Sequence, residues 1–166
     1  SIQDACGNMA SDFIVSYSGG DNQAPYLNKG AVIPTGESGL NLCFSDKSEG
    51  PTVEDIASLF SDNCGNVIVE KQSVSKGSDC KWLAEYTYII KDDCNNFADS
   101  IVLQYFGGDQ ENPELSGVPE DITVNCVDEI PLASTKGIYA TDNCSDKILI
   151  SSSDDTSSLG DACEGG

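Results

Sequence analysis

Hydrophobic and polar residues alternate along several short stretches of the chain, and this alternation is the pattern of half-buried β-strands. The clearest alternation covers residues 86–90, and a second stretch of β-branched and aromatic residues covers 98–105. Residues 92–96 between them are polar and have the composition of a turn, so the sequence predicts a hairpin. Alternation at residues 67–69 and 121–125 predicts two further strands.

The chain also repeats itself, and the repetition predicts how the strands are grouped. Three pairs of similar segments carry it: DACGN at residues 4–8 and DDCNN at 92–96, YSGGD at 17–21 and YFGGD at 105–109, and SDNC at 61–64 and TDNC at 141–144. The first two pairs are 88 residues apart, and the third pair is 80 residues apart. We therefore predict tandem units, with the end of one unit at residues 1–20, a complete unit at 21–108 and the first part of the next at 109–166.

Two other segments predict strands less directly. Residues 55–60 have the spacing of a helical turn, but their counterpart at residues 137–140 has the composition of a strand, and we predict a strand for both. Residues 13–15 are similar to the strand that follows the polar turn and predict one more strand. Short strands with turn signals about every 8–12 residues are typical of a β-sandwich. The predicted fold class is all-β, with tandem immunoglobulin-like β-sandwich repeats.

The four cysteines of the complete unit predict two disulfides. Cys80 and Cys94 flank a strand that would span about 33 Å when extended, far more than the Cα separation a disulfide allows. In an immunoglobulin-like order, Cys43 and Cys80 lie at one end of the sandwich, and Cys64 and Cys94 lie at the other. We therefore predict the bridges Cys43–Cys80 and Cys64–Cys94. Each would contribute about 3–4 kcal/mol through loop closure.

The other four cysteines extend this pattern into the next unit. Cys126 and Cys163 hold the positions of the first bridge, and we predict that they are bonded. Cys6 and Cys144 hold the positions of the second bridge, and we predict an inter-unit bridge in which a neighbouring chain or array period supplies residues 1–20. No Cys-x-x-Cys pair is present, which disfavours a zinc site. Disulfides indicate an oxidising compartment outside the cytoplasm.

Composition excludes several classes of function. The chain has 28 acidic and 8 basic residues, a formal net charge of -20 and no histidine. Nucleic acids and anionic lipids require a basic surface, so neither is an expected partner. The absence of histidine removes the Ser–His–Asp and Cys–His forms of catalysis, and we predict that the protein is not an enzyme. The sequence contains no run of 18 apolar residues, so no segment is predicted to insert into a membrane.

Three motifs resemble a known family. PEDITVNC at residues 119–126, ATDNC at 140–144 and DACGN at 4–8 are similar to HYR-like, immunoglobulin-fold repeats of very large Bacteroidota surface proteins. That group includes giant gliding-motility adhesins and other cargo of the type IX secretion system. The resemblance covers essentially the whole chain, and it departs from the family pattern at Asn95, where the family has glycine.

The resemblance implies a structural module of a secreted adhesin or filament on the cell surface. Such a module acts as an extended stalk that projects a distal region or polymerises. Its partners would be neighbouring repeats of the same chain or head-to-tail copies, with surface glycans as a further class of ligand. Two other functions stay open: a glycan- or protein-binding module, and an accessory domain of a secreted hydrolase.

Acidic loops at the predicted junctions are the candidate metal sites. Asp21, Asp109 and Glu111 lie just after Gly-Gly pairs and offer the oxygen ligands that calcium prefers. No contiguous D-x-[DN]-x-[DN]-G loop is present, so solvated turn residues are the competing interpretation and no cofactor is required. The aspartates beside the cysteines, among them Asp62 and Asp92, are predicted to cap turns.

Two further residues have a candidate role. The segment Asp99-Ser100-Ile101 is similar to the acceptor of O-linked glycans in Bacteroidota, which implies a glycan on Ser100. Trp82 either packs in the core or offers a platform for a sugar ring, and packing is favoured.

Overall fold

β-strands make up most of the regular structure. The computed structural model of the protein describes residues 2–155. Its strands are β1 (Tyr26–Leu27), β2 (Leu40–Asn41), β3 (Phe60–Ser61), β4 (Val67–Ser78), β5 (Lys81–Asp92), β6 (Ile101–Gly108), β7 (Glu114–Ser116) and β8 (Tyr139–Thr141). The described residues also contain the short helix α1 (Val53–Ala57) and 3-10 turns at Phe44–Asp46 and Val127–Glu129. The all-β prediction is confirmed at this level.

The strands of the described residues form three sheets. The largest has the order β2-β6-β5-β4, and β2 runs parallel to β6. β4 and β5 are joined by Asp79 and Cys80 alone, a connection so short that the two strands must be antiparallel. β1 pairs with β3, and β7 pairs with β8, both antiparallel. The strands predicted at 67–69, 86–90 and 98–105 correspond to β4, β5 and β6.

The chain divides into two compact units whose segments alternate along the sequence. Of the described residues, the first unit comprises 2–33, 52–70 and 88–100, and the second comprises 34–51, 71–87 and 101–155. β4 and β5 therefore contribute residues to both. The domain boundaries derived from the sequence repetition stay a prediction.

β5 contributes more buried residues than any other described element, because its side chains alternate strictly between two faces. Successive side chains of a strand point to opposite sides, and every second residue of β5 is buried. The buried residues of β5 are Trp82, Ala84, Tyr86, Tyr88, Ile90 and Asp92. β6 adds Ile101, Leu103 and Tyr105, and the ring of Tyr105 meets that of Tyr86 edge-on with 5.9 Å between centroids.

Trp82 is a packing residue, as the sequence favoured. Its side chain is 1% exposed, and its Nε1–H donates a hydrogen bond of 2.8 Å to the carbonyl of Leu42. Gly107 makes room for the indole, because a Cβ at that position would lie 2.3 Å from Cζ2 of Trp82. A buried indole offers no platform to a sugar.

Residues 55–60 do not form the predicted strand. α1 begins after Thr52, whose hydroxyl accepts a hydrogen bond from the amide of Asp55 at 3.1 Å. The Asp55 carboxylate accepts in return from the amide of Thr52 at 3.0 Å, which completes a capping box. Ile56 is the buried residue of this helix. The strand prediction was wrong because the composition of the counterpart segment at residues 137–140 was preferred to the helical spacing of residues 55–60.

Two other predicted strands are not formed. Residues 13–15 and 121–125 belong to no strand or helix of the structure. A strand needs a neighbour that satisfies its backbone hydrogen-bonding groups, and β6 has such neighbours in β2 and β5. Alternation of hydrophobic and polar residues indicates which side chains a strand could bury, but it does not show whether a neighbouring strand is available for pairing.

Local geometry recurs at the spacing of the sequence repetition. The paired residues of the two small sheets are Tyr26 with Ser61 and Leu27 with Phe60 in β1–β3, and Glu114 with Thr141 and Leu115 with Ala140 in β7–β8. The two small sheets therefore have the same register: β7 lies 88 residues after β1, and β8 pairs with it at positions 80 residues after those of β3. The 3-10 turns agree as well, since Asp46 donates to the carbonyl of Cys43 at 3.0 Å and Glu129 donates to that of Cys126 at 3.1 Å.

Tyr86 provides a test of the core. Its hydroxyl donates to the carbonyl of Ser48 at 2.7 Å, and burial raises the pKa of Tyr86, with Glu49 and Tyr105 raising it further. Tyr86→Phe should lower the free energy of unfolding by about 1 kcal/mol at neutral pH. Because the folded pKa lies above the ordinary 10.0, the stabilisation by the protonated phenol is complete below that pH. It is lost as the pH rises through the folded pKa.

Urea unfolding at neutral and alkaline pH measures both effects. Tyr17→Phe is the matched control, because Tyr17 is 93% exposed. We expect the wild type and the control to lose more stability at alkaline pH than Tyr86→Phe does. Equal losses in all three proteins would contradict the buried position of the Tyr86 phenol.

Candidate functional site

The turn between β5 and β6 is held by one carboxylate. Asp92 Oδ1 accepts hydrogen bonds from the amides of Cys94 at 2.7 Å and Asn96 at 2.9 Å. Asp92 Oδ2 accepts from the side-chain amide of Asn96 at 2.6 Å. Asn95 has a φ of 65°, the left-handed conformation that asparagine tolerates better than most residues. The predicted turn is therefore present, and it is closed by Asp92.

Residues 4–8 form the same turn. Asp4 Oδ1 accepts from the amides of Cys6 at 2.9 Å and Asn8 at 2.8 Å, and Asp4 Oδ2 accepts from the Asn8 side chain at 2.7 Å. Gly7, with a φ of 87°, takes the place of Asn95. The hydrogen bonds from Asn8, followed by those of the other turn amides, lower the pKa of Asp4. The turns at residues 4–8 and 92–96, which are 88 residues apart, are therefore closed by the same set of hydrogen bonds to the aspartate carboxylate.

Asp92 differs from Asp4 in its burial. It is 1% exposed and lies on the buried face of β5, whereas Asp4 is exposed. Desolvation by burial pushes the pKa of Asp92 upward, but the hydrogen bonds from Asn96 and Cys94 outweigh it and leave the pKa below the ordinary 3.8. The core strand therefore ends in a buried, ionised carboxylate.

A second acidic loop lies against this turn. Asp62 Oδ2 accepts hydrogen bonds from the amides of Cys64 at 2.9 Å and Gly65 at 3.1 Å. Asp93 Oδ2 accepts from both the backbone and the side-chain amide of Asn66, each at 3.0 Å. The two bonds between Asp93 and Asn66 join the loop after β3 to the turn after β5.

Three aspartates from separate loops meet at this junction. Asp21, Asp62 and Asp92 each place a carboxylate oxygen within 4.8 Å of the other two, and we name them the aspartate cluster. The carbonyl of Asp21 accepts from the side-chain amide of Asn96 at 3.3 Å, which ties its loop to the turn. Asp62 Oδ1 is buried and has no hydrogen-bond partner among the described residues. A group of carboxylates at this spacing is able to hold a hard cation.

The residues predicted as calcium ligands are divided between the two compact units. Asp21 belongs to the aspartate cluster in the first unit, whereas Asp109 and Glu111 belong to the second. Asp109 Oδ1 accepts from the amide of Glu111 at 3.0 Å, and Glu111 Oε1 accepts from the side chain of Asn41 at 3.2 Å. These bonds organise the chain after β6.

Sequence reasoning assigned Asp62 and Asp92 to turns and missed their meeting with Asp21. Both residues do cap turns, so that prediction is confirmed. The signal for a shared site was the repetition itself. The three positions recur as Asp109, Asp142 and Asp4, again all aspartate.

Cys43 is bonded to Cys144, with an S–S distance of 2.06 Å and a Cα separation of 5.2 Å. The predicted bridges Cys43–Cys80 and Cys6–Cys144 are therefore wrong. Cys80 and Cys6 are exposed and free. The topological argument assumed that Cys43 finds its partner within one sequence unit, whereas the observed bridge spans 101 residues.

The predicted bridge Cys64–Cys94 is also not formed, and both thiols are free and exposed. Desolvation raises the pKa of the Cys94 thiol, and the carboxylates of Asp92, Asp21 and Asp93 raise it further. The thiolate is the species that forms disulfides, so this acidic surrounding makes Cys94 less reactive.

Other sequence predictions stay predictions. Cys126 is exposed, and its predicted partner Cys163 lies outside the described residues. Ser100 is exposed just before β6, where an O-linked glycan would meet solvent. Among the described residues, no helix has the length and apolar character needed to cross a membrane.

Comparison of the chain with protein-family models, with curated proteins and with solved structures found no match.

The Cys43–Cys144 bond should contribute strongly to stability. Cys144→Ser opens a loop of 101 residues, and we expect the free energy of unfolding to fall by about 2–5 kcal/mol. Cys6→Ser is the control, because it removes an exposed free thiol, with an expected change within about 0.5 kcal/mol.

Chemical denaturation of the three proteins, with non-reducing peptide mapping of the wild type, measures both points. A peptide that links Cys43 to Cys80 would contradict the structure. So would equal stability of the two variants.

Proposed function

We propose that the chain is a structural repeat module of a secreted bacterial cell-surface adhesin or filament. The observation that carries the proposal is the aspartate-held turn, which occurs with the same hydrogen bonds at residues 4–8 and 92–96. The common register of β1–β3 and β7–β8 supports it independently. Reuse of one local design at a fixed spacing is characteristic of chains assembled from copies of one unit, which provide length rather than a single catalytic centre.

The Cys43–Cys144 disulfide supports a setting outside the cytoplasm. Structural disulfides persist in oxidising compartments and are rare where glutathione and thioredoxin keep thiols reduced. The net charge of -20 fits a surface stalk, because mutual repulsion keeps a highly charged chain soluble and opposes lateral association.

Glycan binding has less support than the structural function. Trp82, the aromatic residue that would provide a sugar platform, is buried and hydrogen-bonded to Leu42. An accessory role beside a hydrolase would be favoured by a catalytic domain in the same polypeptide.

Immunogold electron microscopy of intact source cells tests the proposal. An antibody raised against the whole chain should label the outside of unpermeabilised cells, and mild protease treatment of intact cells should remove the label. An antibody against a cytoplasmic enzyme is the control for cell integrity.

Labelling that appears only after permeabilisation would contradict the surface location. A glycan array probed with the same chain separates the two surface functions: absence of saturable binding favours the structural module, and saturable binding to one glycan class favours the binding module.

A further inference from the structure

We propose that residues 10–20 form a β-strand when they pair with a second copy of the chain, in which residues 109–145 provide the receiving surface. We name residues 10–20 the donor segment and residues 109–145 the acceptor region. The proposal rests on the filament function proposed above and names its partner, because copies joined in this way assemble head to tail.

The donor segment is the counterpart of β6. ASDFIVSYSGG at residues 10–20 and ADSIVLQYFGG at 98–108 are 88 residues apart. The turns before them close alike, since the amide of Ala10 donates to the carbonyl of Ile2 at 2.8 Å, and that of Ala98 to the carbonyl of Ile90 at 3.0 Å. β6 lies between β2 and β5, whereas the donor segment belongs to no strand among the described residues. The same turn therefore leads into a paired strand at one place and an unpaired segment at the other.

The donor segment exposes the side chains that β6 buries. In β6 every second side chain is at most 7% exposed, namely those of Ile101, Leu103 and Tyr105. Their counterparts are 77%, 60% and 93% exposed, namely Phe13, Val15 and Tyr17. Alternate apolar side chains form one face of a strand, and such a face is stable when a sheet or a partner covers it. The donor segment therefore has the inward face of β6 without, among the described residues, the surface that covers it.

Two glycines of the donor segment indicate the close approach of another chain. In β6 a Cβ at Gly107 would lie 2.3 Å from Cζ2 of Trp82, and a Cβ at Gly108 would lie 2.3 Å from a backbone carbonyl oxygen, so packing requires glycine at both positions. A Cβ at Gly19 or Gly20 would meet no described atom within 4 Å, and neither residue has a positive φ. The unpaired segment gives no reason for two glycines, whereas packing like that around β6 does.

The acceptor region repeats the elements that accompany β6 in residues 21–108. Its sheet β7–β8 has the register of β1–β3, and its 3-10 turn at Val127–Glu129 matches the turn at Phe44–Asp46. β2 comes just before the turn at Phe44–Asp46 and runs parallel to the last two residues of β6. Residues 121–125 hold the corresponding place, alternate as a strand does, and form no strand in the described structure. They therefore offer the edge along which the donor segment would run in parallel.

Apolar side chains are exposed in the acceptor region as well. Five of them are at least 60% exposed, namely Leu115, Val118, Ile122, Leu132 and Tyr139. Addition of a strand to a sheet edge takes its affinity from main-chain hydrogen bonds and its specificity from alternate side chains. A second copy is the occupant, because β2 and β6 show how segments of this sequence pair. Since the two surfaces differ, the contact is heterologous, and repetition of such a contact gives a filament where it does not close a ring.

Charge determines the conditions under which copies associate. Each copy has a net charge of -20, and both the donor segment and the acceptor region contain acidic residues. Salt screens the repulsion between such copies, whereas it would weaken an interface held by ion pairs. Because apolar side chains and backbone hydrogen bonds supply the attraction here, we expect association to strengthen as the ionic strength rises.

Sedimentation velocity of the full chain at increasing protein concentration and ionic strength tests the proposal. We expect the wild type to form oligomers that grow with concentration. Val15→Asp places a charge on the face that β6 buries and should weaken association by at least about tenfold. Ile14→Asp is the matched control, because it adds the same charge at a position whose counterpart, Val102, is 53% exposed. It should associate as the wild type does. Circular dichroism establishes that each variant is folded.

A mixture of two variants separates the donor segment from the acceptor region. Ile122→Asp should block the acceptor region as Val15→Asp blocks the donor segment, and each variant alone should stay monomeric. Mixed together, they should form heterodimers, because one supplies an intact donor segment and the other an intact acceptor region. A wild type that stays monomeric at every ionic strength would overturn the proposal. So would equal association of Val15→Asp and Ile14→Asp, or a mixture that stays monomeric.

The outcome for strand pairing can be distinguished from the outcome for the surface function. Surface labelling of intact cells together with a monomeric wild type would reject the strand pairing and leave the surface module in place. Association that follows the expected pattern, together with labelling only after permeabilisation, would reject the surface location alone.

Discussion

The carboxylate of Asp92 is the contact that joins the core strand β5 to the turn after it. It lies on the same buried face of β5 as Tyr88 and Ile90, and it closes the turn that leads into β6. Burial of a charge is unfavourable unless hydrogen bonds compensate for it, and here both oxygens of Asp92 accept them. Core and turn are therefore coupled: the strand is buried to its last residue only while the turn supplies donors to Asp92.

The excess of acidic residues also affects how the loops are held. With 28 acidic and 8 basic residues, the chain has few partners for ion pairs. Its aspartates instead hold loops by accepting backbone amides, as Asp4, Asp62 and Asp142 do. These bonds are short-range and local, so they organise loops without burying much apolar surface. The Cys43–Cys144 bridge supplies a long-range constraint of a kind that such local bonds cannot provide.

The sequence predicts the local features of this structure better than the long-range ones. Alternation of hydrophobic and polar residues located β5, and β-branched and aromatic composition located β6. The polar composition of residues 92–96 located the turn between them. The disulfide partner of Cys43 and the meeting of Asp21 with Asp62 and Asp92 depend on how distant segments pack, which spacing along the chain does not encode. Residues 121–125 alternate as a strand does, but pairing also depends on a neighbour. At α1 the structure shows a capping box of Thr52 and Asp55, which starts a helix where the comparison with residues 137–140 had predicted a strand.

Amide hydrogen exchange by NMR tests the coupling of turn and core most directly. In Asp92→Ala, the account predicts that exchange accelerates at Cys94 and Asn96 and also along β5 at Tyr88 and Ile90, by at least about tenfold. Asp4→Ala, which removes the equivalent but exposed carboxylate, should accelerate exchange at its own turn and leave β5 unchanged. Acceleration confined to Cys94 and Asn96, with β5 as protected as in the wild type, would contradict the central role given to Asp92.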